Sequence, residues 1–274
     1  MFLLEGISMA LAQLSAKKED FKHKQKLEFI DAHCHPDFLS DEELDIANGR
    51  GVTALVVNGV DTKSNMSVIG EHWRSGVFAA AGVHPENALK MTNEEIDYNI
   101  NLIKANAKNI SAIGEIGLDY KFASSEKDKD RQKEVFKKFI NLAIALDKPA
   151  SVHSRDALDD VLDILGSSGI KRAHIHFFEG DSVQAERVAK MGFMISVPPM
   201  HSTKRTNAIE SIPISNIMAE TDSPTAGMHV YDIDKSIMLI AKAKGMDFES
   251  CAVAVADNTK RFFNIGVHNL IRRI

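Results

Sequence analysis

Six side chains able to bind a divalent metal follow short apolar runs in the sequence: His33 and His35, Glu115, His153, His176 and Asp222. The runs are 27–30, 111–114, 150–152, 173–175 and 217–221. Four imidazoles and two carboxylates suffice for one or two divalent cations, which polarise an ester or phosphoryl oxygen and turn water into a nucleophile. Scattered imidazoles have no reason to follow β-strands. A barrel supplies one, because it gathers the C-terminal ends of its strands around a single point.

Each candidate has its own logic. His33 and His35 stand two apart, so on a strand both face the same side and can clamp one cation. Cys34, between them, should point the other way. Asp31 flanks the pair and can orient a ring or a neighbouring loop, while Asp37 could cap a helix. Glu115 lies between apolar residues, where a carboxylate is costly unless paired or coordinated, and it can offer one oxygen to each of two metals. Gly114 and Gly117 permit close backbone approach around it. His174 and His176 are again two apart, and His176, nearer the strand end, is the expected ligand. Asp222 can bind metal and accept a proton from water, with Glu220 deeper behind it. His84, Tyr120 and Arg155 also sit at strand ends. The first two are expected to contact substrate. The planar fork of Arg155 suits a phosphate or carboxylate, or a salt bridge to Asp156 or Asp159.

Eight β-rich runs position these groups: 27–31, 53–59, 77–82, 111–116, 149–153, 173–177, 193–197 and 216–221. Several are continuously apolar, which suits parallel strands buried on both faces. Helical periodicity fills the gaps. Val135, Phe136, Phe139, Ile140 and Leu142 share a face that ends before Pro149, and Leu158, Val161, Leu162 and Leu165 share another. Val183, Val188 and Ala189 mark a third helix, Ile237 to Ala241 a fourth, and 248–263 a last one. Strands alternating with helices predict an α/β fold, a (β/α)8 TIM barrel forming a single domain over 27–274. Residues 1–26 read as a short N-terminal extension: Leu4, Ile7, Leu11 and Leu14 at helical spacing, then a charged linker. The connection 198–215 reads as a long functional loop, with Lys204 and Arg205 placed to guide a polyanion.

Composition narrows the classes. A formal net charge of −5 gives no global signal for nucleic acid or an anionic membrane, so phosphate contact must be local. No apolar run approaches the ~20 residues of a membrane span, and the N-terminus lacks a basic leader. Two distant cysteines are no disulfide framework and point to a reducing cytoplasm.

The chain also resembles the TatD family of metal-dependent hydrolases, within the amidohydrolase superfamily of barrels, from about residue 28 to 265. The resemblance is carried by Asp31-Ala32-His33-Cys34-His35, Gly82-Val83-His84-Pro85, Gly114-Glu115-Ile116-Gly117-Leu118-Asp119-Tyr120, Val152-His153-Ser154-Arg155-Asp156, His176-Phe177-Phe178-Glu179-Gly180 and Glu220-Thr221-Asp222-Ser223-Pro224, with Asn258 to Phe263 matching the last helix. It implies a TIM barrel with two divalent metal ions, Zn, Mn or Mg. His33, His35 and Asp222 would hold one, His153 and His176 the other, and Glu115 would bridge them. It also implies phosphodiester hydrolysis by metal-activated water, as in a deoxyribonuclease, with Glu115 and Asp222 catalytic and His84, Tyr120 and Arg155 touching a nucleic acid or nucleotide-like substrate. Four imidazoles favour Zn, Mn, Fe or Ni over Mg. Two departures from the family stand out. Glu179 replaces a small hydroxyl residue, and Thr225-Ala226-Gly227-Met228 replaces the aromatic-apolar continuation after Pro224. An ester or amide hydrolase on the same site, such as an aminoacyl-tRNA deacylase, is the alternative. A non-catalytic binding barrel would be expected to have a broken ligand set.

Overall fold

The computed structural model describes residues 27–35, 40–71 and 75–266; the expected helix and linker of the N-terminal extension, and Asp37, lie outside them. Eight strands form one parallel sheet in sequence order: β1 Phe29–Cys34, β2 Val52–Asn58, β3 Val77–Ala81, β4 Ile110–Asp119, β5 Ala150–Arg155, β6 Ala173–Ile175, β7 Met194–Val197 and β8 Ile217–Ala219. The helices between and after them are α1 Asp41–Gly49, α2 Thr62–Gly70, the single turn α3 Pro85–Ala88, α4 Asn93–Ala105, α5 Glu126–Ala145, α6 Leu158–Ser168, α7 Ser182–Lys190, α8 Thr203–Ser211, α9 Ile233–Lys244 and α10 Phe248–Phe263. This is the (β/α)8 barrel that the alternation predicts.

Strand parity sorts the core into two layers. Leu55, Val57, Ile113 and Ile116 join Phe139, Leu162 and Ile237 in a large cluster between sheet and helices. Ala54, Val56, Ala80, Ala112, Met194 and Met218 form a smaller inner cluster, closed at the strand N-termini by Phe262 and Phe263 of α10. Burying a Phe or Leu side chain contributes ~1.5–3 kcal/mol, so the wide outer layer dominates stability. Cys34 faces that layer, with Sγ against the Val56 carbonyl at 3.7 Å, and both Cys34 and Cys251 are buried free thiols.

The two ends of the sheet are sewn together by the segment that follows β8. Asp222 N donates to His33 O at 2.9 Å, and His35 N donates to Ser223 O at 2.8 Å. The Asp31 carboxylate accepts from the Thr221 backbone N–H at 3.0 Å and from the Thr221 hydroxyl. Asp31 therefore joins the first strand to the last.

Two sequence expectations need correction. Strand β4 runs past Glu115 to Asp119, so Glu115 is not at a strand end. It lies at an irregularity where the register with β5 shifts between Ile113 and Ile116, and such a bulge re-aims a side chain that simple alternation would place elsewhere. The connection 198–215 is not a loop but carries α8, capped by the Ser202 hydroxyl, which accepts from Arg205 N at 3.1 Å. Its polar start, Thr203-Lys204-Arg205-Thr206-Asn207, hides the helical period that Ala208 and Ile209 complete.

Gly117 is the tightest point of β4. Its φ is +148°, and a Cβ there would lie 2.0 Å from the His153 carbonyl oxygen. Only glycine adopts this conformation readily. Gly117→Ala is expected to lower unfolding stability by at least ~1–3 kcal/mol in urea titration and to weaken metal binding by displacing His153.

Candidate metal centre

The barrel mouth brings together all six predicted ligands. They form two groups. His33, His35 and Asp222 converge on one side, and Glu115, His153 and His176 on the other. Glu115 is 2% exposed, and its two oxygens are divided between the groups. Oε2 lies 3.6 Å from His33 Nε2 and 3.5 Å from His35 Nε2. Oε1 lies 2.8 Å from His176 Nε2 and 2.9 Å from His153 Nδ1. Asp222 Oδ1 stands 3.2 Å from His35 Nε2 and 3.7 Å from His33 Nε2. The β1 pair comes from the end of its strand. Asp222 comes from a left-handed residue (φ 54°) just beyond β8, a conformation costly for a non-glycine residue and typical of functional positions.

Supporting groups fix each ring. His35 Nδ1 donates to the Asn58 carbonyl at 3.0 Å, leaving Nε2 facing inward. His153 Nε2 donates to Asp119 Oδ2 at 2.9 Å, leaving Nδ1 for the centre. His33 Nδ1 meets Ser151 Oγ at 3.2 Å, and its ring stacks on His176 with centroids 3.8 Å apart. Glu220 sits behind His176, accepting from Phe177 N at 2.5 Å and from Ser196 Oγ at 2.7 Å. His174 is an inner barrel residue, bonded to Ser196 Oγ at 2.6 Å.

Asp119 was not singled out from the sequence, although it closes the same motif as Glu115. The sequence offered only its spacing of four residues from Glu115; in the structure Gly117 pairs with His153 and Asp119 with Arg155 of β5. Gln132 of α5 holds it: Oε1 accepts from Asp119 N at 2.9 Å, and Nε2 donates to Asp119 O at 3.0 Å.

The donor set fits divalent metal. His33 Nε2 and Asp222 Oδ1 are buried without a well-formed hydrogen bond, yet face each other at a spacing suited to two ligands of one cation with bonds of ~2 Å. Imidazole and carboxylate with carboxylate or carbonyl behind the rings is the usual architecture of such sites. Electrostatics agrees. Burial alone would raise the Glu115 carboxyl, but the His176, His84 and His153 imidazoles hold it well below its ordinary range. Burial likewise opposes, and His35, His176 and His33 outweigh, in keeping Asp222 ionised. Burial works against a charged His35 and His153, but Asp222 and Glu115 raise the first to about 9, and Asp119 and Glu115 raise the second to about 9. Burial, with His176 nearby, lowers His33 to about 3.

The three predicted substrate residues are placed differently. His84 caps α3 and reaches the centre itself, with Nε2 3.6 Å from Glu115 Oε1. Arg155 is exposed on the wall of the cavity above the centre, with no side-chain ion pair among the described residues. Tyr120 is not brought to the centre. Its hydroxyl donates to Asp160, and its ring lies near Lys129 and Lys133 in an adjoining cavity. Arg205, expected to guide a polyanion, is instead buried in the wall. Its guanidinium donates to the Phe178 carbonyl at 2.9 Å and the Met200 carbonyl at 2.5 Å, and lies 4.0 Å from Glu179.

A (β/α)8 barrel whose mouth holds this imidazole–carboxylate cluster defines a metal-dependent hydrolase. Sequence comparison narrows that class: the pattern described as TatD related DNase matches residues 30–264, and the chain belongs to this family. It is 29% identical to the human (Homo sapiens) protein Deoxyribonuclease TATDN3 over 257 residues, covering 85% of this chain and 94% of that one. It is 33% identical over 258 residues to the metal-dependent hydrolase YabD of Bacillus subtilis, covering 86% and 99%. Among solved structures, the TatD homolog YJJV from Escherichia coli K12 superimposes with a TM-score of 0.80 at 25% identity, covering 88% of this chain and all of that one.

Two predictions follow from the support of the rings and their charge. Asp119→Asn should weaken metal binding ~10–100-fold by calorimetry, with the barrel still folded by circular dichroism. At pH 7, below the values of about 9 to which their carboxylate neighbours raise them, His35 and His153 of the metal-free protein are expected to be protonated. Loading the centre should release on the order of two protons at pH 7, falling toward none above pH ~9, as read by calorimetry in buffers of different ionisation enthalpy.

Proposed function

We propose that this hydrolase cleaves phosphodiester bonds, with DNA or a nucleotide-like diester as substrate, using two divalent metal ions held on either side of Glu115. The observation that carries this reading is the division of the Glu115 carboxylate between two imidazole pairs. His33, His35 and Asp222 would hold one ion, His153 and His176 the other, with Glu115 between. Bound there, a metal pair supplies charge neutralisation at the phosphoryl oxygens and lowers the pKa of water.

The chain's own groups do the rest. Asp222, buried and kept ionised, accepts the proton of the attacking water on its carboxylate. Asp31 and Thr221 hold the segment that carries Asp222 against β1, which limits the freedom of that carboxylate. His84, neutral because burial lowers it to about 4, offers a ring nitrogen at the cavity floor without adding charge. Arg155 reaches a phosphate oxygen from the rim, where its fork can bind two oxygens at once. Asp119 and Asn58 orient His153 and His35 so that neither ring turns during turnover. The human and zebrafish (Danio rerio) relatives carry deoxyribonuclease in their names, which supports the choice of a diester of DNA. A cytoplasmic setting agrees with two buried free cysteines. No helix among the described residues is long and apolar enough to cross a membrane.

The test is hydrolysis of single-stranded DNA and bis-p-nitrophenyl phosphate by metal-stripped protein, with Mg²⁺, Mn²⁺ or Zn²⁺ added back. Metal-dependent cleavage is expected. Glu115→Ala should abolish it, and Asp222→Asn should lower kcat by ~10²–10⁴-fold, the usual span for loss of a general base. Cleavage of aminoacyl esters but of neither diester would overturn the reading.

A further inference from the structure

The cavity over the metal centre, about 620 Å³ in volume, is lined by the ligand side chains and also by three large apolar ones, Phe122, Phe177 and Met200. Phe122 is 44% exposed and Met200 38%, and none of the three belongs to the packed core. Large apolar side chains left facing water at the mouth of a site suit a ligand surface better than the fold.

Two of these three, Phe177 and Met200, are held in place. The Arg205 guanidinium lies 5.4 Å from the Phe177 ring centroid and donates to the backbone carbonyl of Met200, so one buried cation fixes both residues. The Phe177 backbone is held in turn by Glu220.

Charge around the cavity is unlike that of a backbone-tracking groove. Among the described residues lining it, Arg155 is the only Lys or Arg, and Glu86 and Glu179 add carboxylates beyond those of the metal centre. The adjoining cavity, which shares Phe177, Glu179 and Met200, adds three carboxylates, Asp156, Asp159 and Asp160, against Lys204 and the buried Arg205. A long polyanion gains little on such a surface.

We infer that Phe122, Phe177 and Met200 form a platform for one nucleobase of the substrate, with Arg155 taking an adjacent phosphate, so that the enzyme recognises a single nucleotidyl unit rather than an extended backbone. The inference rests on the phosphodiesterase reading and adds the specificity element to it. A flat aromatic base stacks on Phe122 and Phe177 whatever its sequence, because every base has a π face. Met200 adapts its contact to base size.

Two esters with the same leaving group test this: thymidine 5′-(p-nitrophenyl) phosphate and methyl p-nitrophenyl phosphate. Phe122→Ala should reduce kcat/KM for the thymidine ester at least about fivefold, the low end of the loss of one stacked base, and leave the methyl ester unchanged. Phe122→Trp should restore the preference. Separately, the log–log dependence of kcat/KM on salt for an oligothymidylate should be shallower than about −2, since each contacted single-strand phosphate contributes about −0.7. An unchanged ester ratio in Phe122→Ala, an equal loss on both esters, or a steeper salt slope would overturn the platform while leaving the diesterase standing. Failure of the wild-type enzyme to cleave either ester with any metal would overturn both.

Discussion

A single buried carboxylate organises this molecule. Glu115 is sealed from water between apolar neighbours, where an isolated charge is prohibitively unfavourable. It is tolerable only because imidazoles approach both of its oxygens. That requirement propagates outward. Strand β4 must shift register to aim the side chain inward. Gly114 must lack a Cβ, which would lie 2.6 Å from the Ser151 side chain. The rings that meet Glu115 must themselves be held, and Asn58, Asp119 and Ser151 hold them.

The same cluster carries opposing charge preferences at close range. His35 and His153 are driven toward the charged form by carboxylates, while His33 and His174 are driven toward neutrality chiefly by burial. Burial raises Asp31 to about 7, and burial with Asp222 nearby pushes the Glu220 carboxyl up as well. Inner carboxylates that favour protonation thus sit behind outer ones that stay ionised. Negative charge is concentrated where the imidazoles converge and is relieved in the barrel interior, which keeps the interior compatible with Met194 and Met218 around it.

Much of this was legible in the sequence because strand and ligand occur together. An apolar run ending in His or Asp marks both the element and its mouth, so the eight strands and the six converging groups could be read from residue order. What escaped detection depends on geometry that residue order does not encode. The bulge in β4 leaves no mark on the apolar pattern. Asp119 looks like the end of a motif, and its role emerges only when β5 brings the His153 ring to its carboxylate. Arg205 has the residue type of a phosphate guide, but α8 turns it into the wall. Tyr120 is drawn away by Asp160, a residue forty positions along the chain on α6.

The sewing of the first strand to the last has a temporal consequence. The bonds between Asp31 and Thr221 join residues 190 apart in sequence, and the ligands on either side of that seam come from opposite ends of the barrel chain. Contacts of such separation form late, after the intervening loops have been closed. During synthesis, a chain paused before β8 holds four imidazoles and a glutamate but lacks the second carboxylate and the clamp that places it. The two ligand groups of the mouth can therefore be completed only once β8 and the segment after it have been made, so the site is among the last features of the chain to assemble.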